Sequence, residues 1–144
     1  MINLIVNHFT DIVAFLLTVA VGAHFVWRNN FKNRRAIACS ALRAAVLAEL
    51  GAIYPNAAEC PKDIDYFLRS HYTALQTAVE KFRPFVPWWN RWRFERAWFR
   101  YRCSTGRKID IQCYHHYMEF GDNPNYKAIF HDNVSRLLRF ANET

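Results

Sequence analysis

Along this chain an apolar run near the amino terminus gives way to segments whose apolar residues recur every three or four positions. From Ile12 to Trp27 there is no Asp, Glu, Lys or Arg, and extended back to Phe9 the stretch covers 19 residues. As an α-helix it measures about 28 Å, close to the roughly 30 Å of bilayer hydrocarbon, which predicts a single transmembrane crossing. Its flanks differ in charge. Trp27 stands at an interfacial position and Arg28, Lys32, Arg34 and Arg35 follow at once, whereas the other side has Asp11 and no Lys or Arg. The positive-inside rule then puts the amino terminus outside and everything from about residue 28 in the cytoplasm, with the bacterial inner membrane as the expected bilayer. Two other readings compete. A cleaved signal peptide fits Val21-Gly22-Ala23 but needs a basic leading segment, which is lacking, and a buried helix of a soluble protein is equally apolar.

Residues 36–53 are also apolar, but Arg43 and Glu49 fall inside them. A second crossing would bury both charges at about 2.5–3.5 kcal/mol each, so a cytoplasmic helix is expected, with Cys39, Leu42, Val46, Leu50 and Ile53 on one face and Gly51 and Pro55 at its end. Asp63 is placed to cap a helix running to about Arg83, where Ile64, Phe67, Leu68, Leu75, Val79 and Phe82 repeat with helical period and Pro84 stops the run. Pro87 opens a further helix to about Tyr101, with Phe94, Ala97, Trp98 and Tyr101 on one stripe and Trp88, Trp92 and Phe99 on another. Residues 108–114 alternate loosely enough for a short strand, and a loop fits them as well. Pro124 starts a last helix, with Tyr126, Ile129, Phe130, Val134, Leu137, Leu138 and Ala141 as its core face. The expected fold is all-α: one N-terminal transmembrane helix, residues 1–28, followed by a cytoplasmic bundle of about four helices in residues 29–144.

Charge sharpens this picture. Of the formal +7, the whole excess lies between Arg83 and Lys108, where eight basic residues meet one acid, Glu95; the remainder balances at 11 against 11. Within it, Arg83–Arg102 interleaves six arginines with eight aromatics. Such a mixture suits a membrane surface, where Arg attracts anionic headgroups and Trp settles at headgroup level. It would also stack bases and neutralise phosphates of single-stranded nucleic acid, a weaker expectation beside a bilayer, or simply supply a core and its solvated face. Arg91, Arg93, Arg96 and Arg100 are the candidate contacts with lipid or an acidic partner, and Trp88, Trp89 and Trp92 the candidate interfacial anchors.

Other chemistry is sparse. Cys103, Cys113, His115, His116 and His131 are of zinc-binding type, but their spacing matches no ligand pattern, and a Cys–His nucleophilic pair lacks an orienting third group. Cys39 and Cys60 complete the four cysteines, with no CxxC pair, and all four read as free thiols in a reducing compartment. No metal, cofactor or catalytic residue is expected, since phosphate loops, HExxH and GxSxG are absent. His24 lies near the cytoplasmic end of the apolar run and is expected to reach the interface as a neutral ring. Ala14, Thr18 and Gly22, four residues apart, form a small-residue stripe through which a transmembrane partner or a second copy could pack. The expected function is a membrane-anchored, non-enzymatic interaction or scaffolding module. Alternatives are a membrane-tethered nucleic-acid-binding protein and, third, a metal-dependent enzyme.

The strings Leu42-Arg-Ala-Ala-Val-Leu-Ala-Glu-Leu50, Ala78-Val-Glu-Lys-Phe-Arg-Pro-Phe85 and Arg93-Phe-Glu-Arg-Ala-Trp-Phe-Arg-Tyr101 resemble segments of uncharacterised bacterial single-pass membrane proteins. In those proteins a short N-terminal anchor precedes a helical cytoplasmic domain. The resemblance covers about residues 40–101 and implies that architecture without an activity.

Overall fold

A computed structural model describes residues 2–56, 61–103, 112, 114–117 and 124–142. Among them the only regular structure is helical: α1 (Ile2–Leu50), α2 (Ile64–Ser70), α3 (Tyr72–Phe82), α4 (Arg91–Arg102) and α5 (Pro124–Arg139), with single 3₁₀ turns at Arg83–Phe85, Trp88–Asn90 and His115–Tyr117. The expected all-α class, a long N-terminal helix followed by about four shorter ones, is the observed one. The extended piece expected at 108–114 lies largely outside the described residues. The chain forms two compact units, Met1–Ala36 and Ile37–Thr144.

In the first unit, α1 is long and apolar enough to cross a membrane. Its large side chains make no core: Phe15, Leu17, Phe25 and Trp27 are each more than 60% exposed. A buried helix of a soluble protein would hide such residues, because each is worth about 1.5–3 kcal/mol when removed from water. On one face the rings of His24, Trp27 and Phe31 follow each other with centroids 6.2 and 6.1 Å apart.

The sequence pattern suggested one helix ending near residue 28 and another starting near 36, but α1 runs through without a break. The linking residues contain neither Pro nor Gly. Asn29, Asn30 and Asn33 are only mildly unfavourable to a helix, by a few tenths of a kcal/mol each, too little to interrupt a ladder already nucleated on both sides.

The second unit is built on the last turns of α1. Cys39, Leu42, Val46 and Leu50 are buried on one stripe, as the three-and-four spacing requires. The helix closes where the N–H groups of Ile53 and Tyr54 both donate to the Leu50 carbonyl. Gly51 sits in this turn, and a Cβ there would come within 2.6 Å of the Leu47 carbonyl oxygen, so a side chain would force the turn to shift.

Asp63 caps α2 by accepting from the Tyr66 N–H at 3.0 Å, a contact worth about 1 kcal/mol. The helix expected from Asp63 to Arg83 is divided at His71. There the Ser70 hydroxyl and the His71 ring Nδ1 both donate to the Phe67 carbonyl, at 2.7 Å each, and side-chain donors on a helical carbonyl compete with the backbone ladder. Leu75, Val79 and Phe82 of α3 continue the core. The next turn holds Pro84, which cannot donate to the ladder.

Phe94, Ala97, Trp98 and Tyr101 of α4 are buried, as are Phe130, Val134 and Leu137 of α5 and Ala141 just beyond it. Of the expected α5 core face, Leu138 is only partly buried and Ile129 is exposed. Aromatic rings meet edge-on across the core: Phe94 of α4 against Phe140 at 5.4 Å, Phe82 of α3 against Phe94 at 5.6 Å, and Tyr117 against Phe130 of α5 at 5.2 Å. Tyr101, Tyr114 and Tyr117 are all buried. Burial pushes each phenol above its ordinary range, with neighbouring phenols adding to the effect at Tyr101 and Tyr114. An acid whose folded pKa is raised favours the fold below its ordinary value, so stability is full up to about pH 10 and declines as the pH rises further.

Candidate functional site

Helix α4 carries three of its five arginines on the side away from its buried stripe. Arg93, Arg96 and Arg100 are spaced three and four residues apart, which puts them on one face. Arg136 and Arg139, three residues apart on α5, do the same from the neighbouring helix. The helices pack through Phe94, Ala97 and Tyr101 against Phe130 and Phe140, and the two rows of guanidinium groups line one open groove of about 470 Å³. Trp92, Ala97 and Phe140 supply its apolar surface, and Asn90 also lines it.

Among the described residues, the carboxylates near this face pair with Arg83 and Arg136 and not with Arg93, Arg96, Arg100 or Arg139. Glu95, the lone acid of the basic segment, holds Arg83 at 2.7 Å, and Glu80 holds the same guanidinium from α3. Asp132 holds Arg136 at 2.6 Å. Arg93 lies over the Trp92 ring, 5.3 Å from its centroid. Arg93, Arg96, Arg100 and Arg139 have no carboxylate within ion-pair distance among the described residues, and all four are exposed.

The structure therefore gathers three of the four arginines read from the sequence, together with Trp92. Arg91 lies outside the groove, its Nε directed to the Val86 carbonyl at 3.5 Å. Trp88 and Trp89 also lie outside it, exposed on the 3₁₀ turn that precedes α4, with their rings edge to face at 5.8 Å. Trp98, the remaining tryptophan of this segment, belongs to the core. Arg136 and Arg139 were not legible as site residues: on α5 alone they read as the solvated face of an amphipathic helix, and only its pairing with α4 gives them a role.

Among the described residues no three His, Cys, Asp or Glu side chains converge in a way that would hold a metal ion. Cys103 is buried, the His131 ring lies against Tyr54 at 4.9 Å, and that of His116 against Tyr117 at 3.8 Å. Cys113 and the His115 side chain lie outside the described residues. In the first unit, Ala14, Thr18 and Gly22 are exposed. Thr18 donates its hydroxyl to the Ala14 carbonyl at 2.9 Å, and a Cβ at Gly22 would meet nothing within 4 Å.

Compared with known proteins, the chain matches no family model, no curated protein and no solved structure. The groove's own chemistry is what bears on function.

Proposed function

We propose that this protein is a membrane-anchored, non-enzymatic interaction module whose α4–α5 groove and neighbouring tryptophans engage an anionic surface, lipid headgroups first among them. The observation that carries the reading is the set of four exposed arginines without carboxylate partners among the described residues, beside the exposed rings of Trp88, Trp89 and Trp92. Arginine near an anionic leaflet contributes about 1 kcal/mol per charge, and tryptophan favours the headgroup layer because its ring is apolar while its N–H seeks a partner. The apolar stretch of α1 supplies the anchor. In this reading the membrane is the bacterial inner membrane, with the amino terminus outside and residues 29–144 in the cytoplasm, because the cationic cluster Arg28, Lys32, Arg34 and Arg35 follows the apolar run. The architecture is that of the bacterial single-pass proteins which the helical strings resemble.

Flotation of residues 29–144, which carry the buried core of the described residues, tests the reading with vesicles of neutral phosphatidylcholine and with vesicles containing phosphatidylserine. Binding should favour the anionic vesicles. The triple variant Arg96→Gln/Arg100→Gln/Arg139→Gln should lose about 3 kcal/mol, roughly a hundredfold in partitioning. Equal binding to both vesicle types removes the lipid role. A single-stranded oligonucleotide that displaces the protein from anionic vesicles, with binding that falls steeply as salt rises, would transfer the groove to nucleic acid.

A further inference from the structure

A diffuse basic surface attracts any anion in proportion to its charge. The α4–α5 groove has features that go beyond that. Its guanidinium groups approach from two helices, so an occupant is met from both sides, and they surround a concavity of about 470 Å³ that has an apolar wall. Arginine also differs from lysine in presenting planar forks of N–H donors, which match pairs of phosphoryl oxygens in bidentate contacts. Arg136 is already held by Asp132, while Arg93, Arg96, Arg100 and Arg139 have no carboxylate partner among the described residues. Like charges gathered around one space repel one another, and a compact anion of at least two charges relieves that repulsion more than a singly charged one does.

We infer that the α4–α5 groove is a discrete binding pocket for a dianionic phosphoryl group, a phosphomonoester or a diphosphate, with Arg96 and Arg100 on one side and Arg139 on the other as its principal ligands. The inference rests on the reading of this groove as an anion-binding site and names the ligand chemistry that it selects. Two sources carry such a group: a lipid whose headgroup ends in a phosphomonoester, and a soluble phosphate compound.

The full chain, held in nanodiscs of neutral phosphatidylcholine, is titrated with inorganic pyrophosphate by calorimetry. Saturable binding with one site per chain is expected. Affinity should fall roughly 10-fold or more for each guanidinium removed in Arg96→Gln, Arg100→Gln and Arg139→Gln, because each takes away charge-assisted hydrogen bonds. Arg96→Lys/Arg100→Lys, which keeps the charge and loses the fork, should also weaken binding. The charge-matched control Arg43→Gln, exposed and outside the groove, should leave it unchanged. Circular dichroism confirms that each variant keeps its helices.

A second arm replaces part of the nanodisc lipid with phosphatidic acid or, at equal total charge, with phosphatidylglycerol, whose phosphodiester bears a single charge. If phosphatidic acid alone competes with pyrophosphate, the pocket takes the lipid headgroup. If neither lipid competes while pyrophosphate still binds, it takes a soluble phosphate. Equal losses in groove and control variants, or no saturable binding, overturn the pocket. If vesicle flotation still favours anionic lipid in that event, the broader surface reading survives; if flotation fails as well, both fall.

Discussion

Replacing Trp98 with alanine should unfold the carboxyl-terminal unit under conditions in which the native chain is fully folded. Trp98 is 1% exposed and lies nearly parallel to two neighbouring rings, Tyr101 at 5.4 Å and 15° and Tyr72 at 6.2 Å and 13°, with the Arg102 guanidinium 5.2 Å from its ring centre. Its indole N–H donates to Gln76 Oε1 at 3.0 Å, and the Tyr72 hydroxyl donates to the same oxygen. Truncation removes a large buried area and leaves a cavity bounded by rings that cannot easily collapse, a change that costs about 3–5 kcal/mol. Against a total stability of about 5–15 kcal/mol this is a large fraction, and the melting temperature should fall by roughly 15–30 °C. Thermal melts followed by near-ultraviolet circular dichroism measure it. A fall of only a few degrees would mean that the ring is not the centre of the packing described above.

The second large effect concerns α1. Leu16→Arg/Val19→Arg puts two charges near the middle of the apolar run, three residues apart and thus on one face. If the run lies in lipid, each charge costs about 2.5–3.5 kcal/mol on an insertion scale, so roughly 6 kcal/mol opposes the crossing. The native chain should then stay in the membrane pellet after alkaline carbonate extraction, and the double variant should be released. Both positions are exposed within the chain, so the substitutions leave the core of the second unit untouched. Equal extraction of the two proteins would exclude the anchor.

How much of this organisation could be read in advance depended on the range of the interaction involved. The stripes Cys39–Ile53, Ile64–Phe82 and Phe94–Tyr101 are visible in sequence because a helix needs only its own period to declare which side faces inward. Asp63 and Pro84 are similarly local, acting within a turn of where they stand. His71 is harder. Its interruption of the helix arises from two side chains contending for the Phe67 carbonyl, and nothing in the apolar spacing signals that contest. The continuity of α1 through Asn29, Asn30 and Asn33 was obscured for a different reason: a change from apolar to basic composition looks like a boundary, although the backbone needs no break there.

The candidate site was half visible. Density of arginine between Arg83 and Arg102 drew attention to α4, and the structure retains Arg93, Arg96 and Arg100 there. The second wall required knowing that α5 lies beside α4, a long-range fact carried by contacts such as Phe94 with Phe140. Arg136 and Arg139 precede that same phenylalanine, so the nearest signal in sequence was a basic pair adjoining an aromatic that the core would claim.

The inward face of α1 holds a sulfur atom, that of Cys39, beside Leu42, Val46 and Leu50, with only 6% of the residue reachable by solvent. A thiol reagent therefore has to wait for the bundle to part before it can alkylate that atom. The rate of modification at Cys39, followed by mass spectrometry of the corresponding peptide, becomes a stopwatch for how often the helices separate in native buffer.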